Sequence, residues 1–579
     1  MARANRSVIN SKPKPFISTW KTDNLSQTSS AANQIVLPLT SSGLYNFMVY
    51  WGDNTSSSIS SALQPEVTHS YATAGTYHVT MSGYINGFRF VNGRDRRKII
   101  NISQWGGLKI SSQGSQFFGC DALTLNNISD TPNLYTKGID LVSSASISAM
   151  FRSCSLLTTI SRLDQWDTSQ VGGMQQTFYQ ANRFNQNIGN WNTSNVTNMA
   201  NLFSAPTTTT THSFNNGGSD SIKNWDTSKV TTFSQTFIYN PNFNQPIGSW
   251  NVSSASILDF MFYYASGFNQ PINNWNTSNA TSMTSMFYSA SSFNQPLSNW
   301  NTSKITSMNS MFYHARDFNQ DIGSWDVSKV TNFTFMFGGI QSTSTITSSF
   351  NNGGSPSINN WNVSSASNMN AMFQFQINFN QPIGSWSMDN VTNTSYMLNV
   401  PGNTRFAGGT FNQPIGNWNL SKVTNAQFMM NGQALFDQNI GNWNLSKLVT
   451  ASGMFKMLGS PYPSAIFNNG GSDSIRNWSI SSASLVNTMF ENAYGFNQPV
   501  DNWNVSNVTN ASSFMGTKSN LNYSASNYDA LLIGWASRPV KPNISIGFNN
   551  INYTIAASAS RAILTSAPNN WTIVDGGQI

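Results

Sequence analysis

Two rhythms of apolar and polar positions divide this chain. Over residues 15–92, segments such as "YNFMVYWGDNTSSS" and "VTHSYATAGTYHVTMSG" alternate apolar with polar side chains between clusters of turn formers. A period of two places one side of each segment in a core and the other in water, which predicts the short strands of a β-sandwich. Further along, a longer phrase takes over. "FNQPLSNWNTSKITSMNSMFYHA" spans Phe293–Ala315, and the chain restarts it at Phe318 as "FNQDIGSWDVSKVTNFTFMF".

Tryptophan marks the register of this phrase. From Trp166 to Trp503 there are thirteen copies, and eight of the twelve intervals are 25 residues; the others, 34, 36, 32 and 35, are the same unit with an insertion. The unit reads F-N-Q-x-I-x-x-W-[ND]-x-S-x-V-T-x-M-x-x-M-F. So short a unit cannot bury its own apolar side and must stack on its neighbours. The β-branched V-T-x-M segment is the expected strand, its copies pairing into a parallel sheet at about 4.8 Å per coil. The repeated Asn can satisfy turn backbone groups and bond to the same Asn one coil away. The recurring letters are therefore expected to form core and ladder rather than a catalytic centre.

All four insertions fall between Met-Phe and the next Trp, and so leave one edge of the stack. Three share "FNNGGS", at Phe214–Ser219, Phe350–Ser355 and Phe467–Ser472. Such loops either form a binding face or record drift in loop length. The binding reading selects Pro206–Ser213, Gly338–Ser349, Pro401–Gly409 and Gly459–Ala465. Its candidate contact residues are Pro206, His212, Asn216, Ile340, Asn352, Arg405, Tyr462 and Asn469. A calcium reading of "NNGGSDS" fails on the middle copy, where Pro356 stands in place of Asp220 and Asp473.

With these phrases in view, "FNQNIGNWNTSNVTNM" (Phe184–Met199) resembles the BspA-like leucine-rich-repeat surface proteins, also described as the Mycoplasma-type 25-residue surface lipoprotein repeat. The resemblance covers about Phe151–Met515. It implies a right-handed leucine-rich-repeat solenoid, a cell-surface location, adhesion as the usual role and no catalytic residues. Trp51-Gly52-Asp53, His69-Ser70-Tyr71 and Gly75-Thr76-Tyr77 resemble the PKD-type immunoglobulin-like domain, with Asn54 where that family has a second Gly. That likeness implies a spacer or carbohydrate-contacting module.

Composition narrows the chemistry. Only 9% of the 579 residues are charged, while 18 Trp and 38 Phe supply ample surface to bury. Of the net charge of +7, +6 lies in the first hundred residues. There, Arg3, Arg6, Lys12 and Lys14 form a basic arm suited to docking on an acidic protein surface. The run "GRDRRKII" (Gly93–Ile100) reads as a solvated domain junction rather than a phosphate site. Cys120 and Cys154 are expected as buried fillers, and the four His stand apart from one another and from any ligand spacing. No nucleophile elbow, phosphate loop or dinucleotide fingerprint is present, so no enzyme, cofactor or metal is expected.

The expected fold is mainly β: an immunoglobulin-like β-sandwich, a right-handed leucine-rich-repeat solenoid and a small C-terminal α/β cap. The expected divisions are a basic arm (1–14), the PKD-like sandwich (15–97), degenerate first coils (98–165), regular repeats (166–515) and the cap (516–579). The expected function is non-enzymatic surface display. The N-terminal segment carries no apolar export signal and is basic, which favours a virus or phage particle surface or fibre protein at the virion surface. The resemblance favours instead a bacterial cell-surface adhesin binding host proteins or glycans. Expected partners are other proteins of the particle or cell surface, with glycans or a host receptor, and neither nucleic acid nor a membrane span. Charge-poor sides are compatible with a homo-oligomer.

Overall fold

The computed structural model describes residues 14–110, 113–134, 145–339, 348–400, 408–459 and 466–579. The chain forms two compact units, residues 1–270 and 271–579. Most of the β-structure of the first unit lies before residue 110. Its strands are β1 (Phe16–Lys21), β2 (Gln34–Val36), β3 (Leu39–Tyr50), β4 (Ser56–Ile59), β5 (Thr68–Ser70), β6 (Thr76–Phe88), β7 (Ile99–Gln104) and β8 (Leu108–Lys109). Six of them form one sheet in the order β4-β3-β6-β1-β7, with β8 beside β6, while β2 pairs only with β5. The period-two pattern is obeyed. Phe16, Ser18 and Trp20 of β1 face the core, as do Phe47 and Val49 of β3 and Val79 and Met81 of β6. Phe16 lies opposite Met81, and Trp20 opposite Tyr77.

The basic run after β6 is stitched into the protein, with Arg94 and Arg97 still exposed and Asp95 and Lys98 buried. Arg94 Nη1 donates to Leu37 O and Leu39 O, and Arg96 Nη1 to Gly119 O at 2.6 Å. Asp95 and Lys98 are fully buried and 3.2 Å apart. Asp95 accepts from Ser30 N, Ser30 Oγ and Val36 N, and Lys98 Nζ donates to Ser30 O, Ala31 O and Gln34 O. The junction is thus a buried ion pair saturated with hydrogen bonds, the arrangement a charge out of water requires.

The expected fold class needs correction. In place of a sandwich there is one open six-stranded sheet with a two-stranded ribbon. In place of a leucine-rich-repeat solenoid carrying a parallel sheet, the repeats are turns and coil. Beyond the two-residue β9 (Ala145–Ser146) and three-residue β10 (Val171–Gly173), V-T-x-M supplies one bridging residue per copy, as in Asn198–Thr232–Ile257 and Asn332–Asn368–Asn393. The backbone gives the reason. Three residues after each bridge the chain turns left-handed: Asn201 (φ 57°), Gln235 (61°), Phe260 (56°), Ser310 (52°), Phe335 (54°) and Tyr396 (57°). An extended run cannot pass such a residue, which costs about 1–2 kcal/mol when it is not glycine. The next residues form consecutive turns instead. Met311 N donates to Met308 O and Tyr313 N to Ser310 O, while Ser310, Phe312 and His314 donate to Thr334, Met336 and Gly338 of the next copy. Alternate amides serve the turn and the neighbouring coil.

Side chains complete the stacking. Each repeat Trp is buried; the indole N–H of Trp166 has no acceptor, while later ones donate to the Ile or Leu carbonyl of the preceding copy, as from Trp325 to Leu297 and Trp386 to Ile358, both 3.0 Å. The F-N-Q Asn accepts from the backbone N–H of the same position one coil on: Asn215 from Asn244, Asn294 from Asn319, Asn380 from Asn412. The residue after Trp makes a local turn with the Ser two places on, Asn301 Oδ1 accepting from Ser303 N at 3.0 Å. Phe rings stack between coils, with centroids 5.4 Å apart for Phe287–Phe312 and 5.8 Å for Phe312–Phe337.

The ladder does not stop at Trp503. Tyr523 stacks on Phe496, Asn497 Oδ1 accepts from Ser524 N, and Trp535 Nε1 donates to Val500 O at 3.1 Å. Helix α1 (Ala525–Ala536) therefore occupies the place of a coil, with different letters in the same register. Parallel strands β11 (Ser545–Gly547) and β12 (Thr572–Val574), with helix α2 (Ser558–Thr565), close this end. Among the described residues no helix is long and apolar enough to cross a membrane.

Candidate functional site

The insertion edge is rooted in the core. Phe214, Phe350 and Phe467 stack on the Phe rings of their own coils, at 3.5 Å from Phe203, 3.7 Å from Phe337 and 4.5 Å from Phe455. Two residues on, Asn216, Asn352 and Asn469 are fully buried and left-handed, with φ of 51°, 51° and 55°. Each Oδ1 accepts from an Ile N–H of the preceding coil (Ile188, Ile322, Ile440) at 2.8–3.0 Å. Each Nδ2 donates to a following Ser carbonyl (Ser219, Ser355, Ser472) at 2.6–2.8 Å. Two left-handed glycines follow, Gly217 and Gly218 in the first copy, at φ 60° and 82°. Three consecutive left-handed residues explain Asn-Gly-Gly, since other residue types resist this conformation. Asp220, Pro356 and Asp473 each open the short 3₁₀ helix that comes next, capped by the preceding Ser. Pro and Asp both suit that first position, so their exchange is one of turn chemistry.

These three Asn side chains, placed on the candidate edge by sequence, thus face inward. His212 does too. Its Nδ1 accepts from Phe214 N at 3.1 Å and its Nε2 donates to Phe178 O at 3.0 Å, which fixes the Nε2–H tautomer. Burial lowers its pKa to about 4, against a smaller opposing effect of the Phe178 carbonyl. Gln376 and Gln433 play the same part in the other unit, each accepting from a Phe N–H and donating to a carbonyl one coil back. Pro206 is exposed, as are Thr207–Thr211 beside it. Ile340, Arg405 and Tyr462, like Arg3, Arg6 and Lys12, lie outside the described residues; Lys14 is exposed.

The words that resemble a PKD-type domain come together in the N-terminal sheet region. His69 Nε2 lies 2.7 Å from Asp53 Oδ2, its ring stacks on Trp51 at 4.6 Å, and Tyr71 donates its hydroxyl to Trp51 O. Burial pushes the Asp53 carboxyl up, but hydrogen bonds from Thr55 and His69 outweigh it and hold the pKa low. Cys120 and Cys154 are buried and free, and burial pushes both thiols up, out of the reactive range. Among the described residues no group of three or more His, Cys, Asp or Glu could hold a metal ion.

One surface feature is hidden among the variable letters of the repeat. Two rows of half-buried aromatics flank the buried Met-Phe pair. Phe260, Phe335, Tyr396 and Phe428 take the left-handed position before it, and Tyr179, Tyr263, Tyr288 and Tyr313 follow it directly. Two pairs in the second unit touch, Tyr288–Tyr313 at 4.7 Å and Tyr396–Phe428 at 5.4 Å. The signal was an aromatic recurring at fixed offsets from Met-Phe among otherwise variable letters.

Comparison with known families gives one match. Residues 145–259, 208–302, 252–350, 345–406 and 402–528 match the model of the family described as "Mycoplasma protein of unknown function, DUF285". These overlapping segments cover more than half of the chain and begin after the N-terminal sheet. No curated protein and no solved structure matches.

Proposed function

Because the chain belongs to this Mycoplasma-type repeat family, we propose that it is a non-enzymatic cell-surface protein whose repeats hold out a polar, charge-poor surface for adhesive contact with host proteins or glycans. The observation that carries this reading is the division of labour within each coil. The recurring Trp, Asn, Met and Phe side chains are consumed by burial and by ladders, and the outward positions are left to Asn, Ser, Thr and half-buried aromatics. Uncharged amides and hydroxyls beside aromatic edges suit many weak contacts acting together. The family match shifts the balance away from a virus or phage particle and toward a cell envelope. The insertion edge contributes its exposed parts, Pro206–Thr211 among them, while Asn216, Asn352 and Asn469 hold the loops in place.

The test is brief protease treatment of intact source cells, followed by recovery of peptides of this chain and an attachment assay. Release of repeat peptides together with reduced attachment supports the reading. Peptides found only in purified virus particles, or only after lysis, would overturn it.

A further inference from the structure

The basic junction holds a second feature, independent of the repeats. A cavity of about 430 Å³ opens there, lined by Ser26, Gln27, Thr28, Asn92, Arg96 and Arg97. Its size falls within the range of small-molecule sites, yet every lining residue is polar. Two guanidinium groups meet at its wall, and one carboxylate answers both. Asp121 lies 3.0 Å from Arg97 Nε and 3.7 Å from Arg96 Nη1. One positive charge is therefore left over beside the cavity. Arg96 donates one Nη1 hydrogen bond to Gly119 O, and Arg97 one to Leu25 O, so neither five-donor fork is filled. Arg96 Nε is buried without an acceptor, which costs stability unless something compensates. The loop that presents these groups is strained: Val91 (φ 49°), Asn92 (60°) and Arg94 (52°) are all left-handed, and Val91 is β-branched.

We propose that this cavity binds an oxyanion carried on a small polyol, the carboxylate or sulfate of an acidic saccharide. The Arg96 and Arg97 forks receive the anion, while Asn92, Gln27 and Thr28 offer amides and a hydroxyl to sugar hydroxyls. A nucleic-acid strand is disfavoured: the wall has no aromatic for a base to stack on, and the neighbouring Arg89 and Arg94 are committed to backbone carbonyls. The choice of a saccharide rests on the adhesive reading; the anion site itself does not.

The experiment is calorimetric titration of the full chain with sodium glucuronate, glucose 6-sulfate and glucose, each to about 10 mM. Binding of one or both anions, but not glucose, is expected, and the stronger of the two names the source. Arg97→Gln should weaken it about tenfold, in line with loss of a charged hydrogen bond, and Thr28→Val about threefold. The thermal unfolding of both variants should match that of the parent chain. No heat from either anion, or binding unchanged by both substitutions, overturns the proposal. Loss of attachment on protease treatment without glucuronate or sulfate binding would sink this site and leave the adhesive reading standing; the converse would do the opposite.

Discussion

The sheet region before residue 110 and the repeat coils after it solve one problem by opposite means. Both must bury backbone and aromatic rings. The sheet pairs its backbone strand to strand, and anchors its last connection with a buried charge pair, Asp95 and Lys98. The coils pair alternate amides with the next copy and fill the gaps with neutral side chains: an indole N–H, an Asn oxygen, a Thr hydroxyl such as Thr302 Oγ1 donating to Asp326 O. A charge in a stack would meet its own image about 4.8 Å away, where like charges repel. Neutral amides can repeat without that cost. The buried ladders are therefore written in amides, and like charges on adjacent coils, such as Lys304 and Lys329, stand at exposed positions.

The comparison breaks most easily at the charge pair. Asp95→Ala leaves the Lys98 ammonium without its counter-charge and two backbone N–H groups without an acceptor, and should destabilise the sheet by about 3–5 kcal/mol. Asp95→Asn combined with Lys98→Met should recover part of that loss. Hydrogen exchange of the β1 and β6 amides measures it locally. Asp95→Ala leaving their protection unchanged would mean that the pair is not what holds this connection.

The next largest effect belongs to the coils and depends on pH. His212 is neutral when buried, with a pKa of about 4 against an ordinary value near 6.5. Its folded pKa is the lower one, so the stabilisation is full above about pH 6.5 and is lost as pH falls toward 4. The span is on the order of 3 kcal/mol. His212→Gln supplies a neutral acceptor and donor of the kind that Gln376 and Gln433 bring to a Phe N–H from the following coil, and should flatten this slope while keeping most of the neutral-pH stability. Urea unfolding between pH 7 and pH 4.5 reads the difference. Parallel slopes for the two chains would remove histidine from the account.

Reading such roles from sequence works where the letter recurs. The thirteen Trp positions and the Asn ladder were visible because each copy repeats the same physical demand. The left-handed position was not, because it takes an aromatic in some copies (Phe260, Tyr396) and a small or polar residue in others (Asn201, Gln235, Ser310). Their conformation is imposed by hydrogen bonds to the adjacent copies, and V-T-x-M therefore read as a strand it does not form. Asn216 read as an exposed loop residue because Asn-Gly-Gly signals a turn without saying which way the Asn points. His212 lay in a run of threonines, and only its two backbone partners reveal that it is core. Tyr523 and Trp535 extend the ladder with unrelated neighbours, so the register was hidden although its physics continues.

The smallest effect sharpens the point about neutrality. Asn380 Oδ1 accepts from Asn412 N at 2.9 Å and from Gln413 Nε2 at 3.1 Å. Asn380→Ala removes both bonds at an edge open to water, and should cost about 1–2 kcal/mol. Asn380→Asp keeps the acceptor, and the chain already contains that experiment: Asp437 stands at the same ladder position, accepting from Asn468 N at 2.7 Å and Gly470 N at 2.9 Å. A single carboxylate has neutral amides above and below it, so Asn380→Asp should change stability by less than about 0.5 kcal/mol at neutral pH. Asp437 donates its N–H to Asn412 Oδ1, so adding Asn412→Asp places carboxylates on three consecutive rungs; the pair of changes should cost more than the sum of the single ones, with the excess shrinking in high salt. Strict additivity at low salt would mean that repulsion between rungs does not explain why this chain writes its repeats in amides.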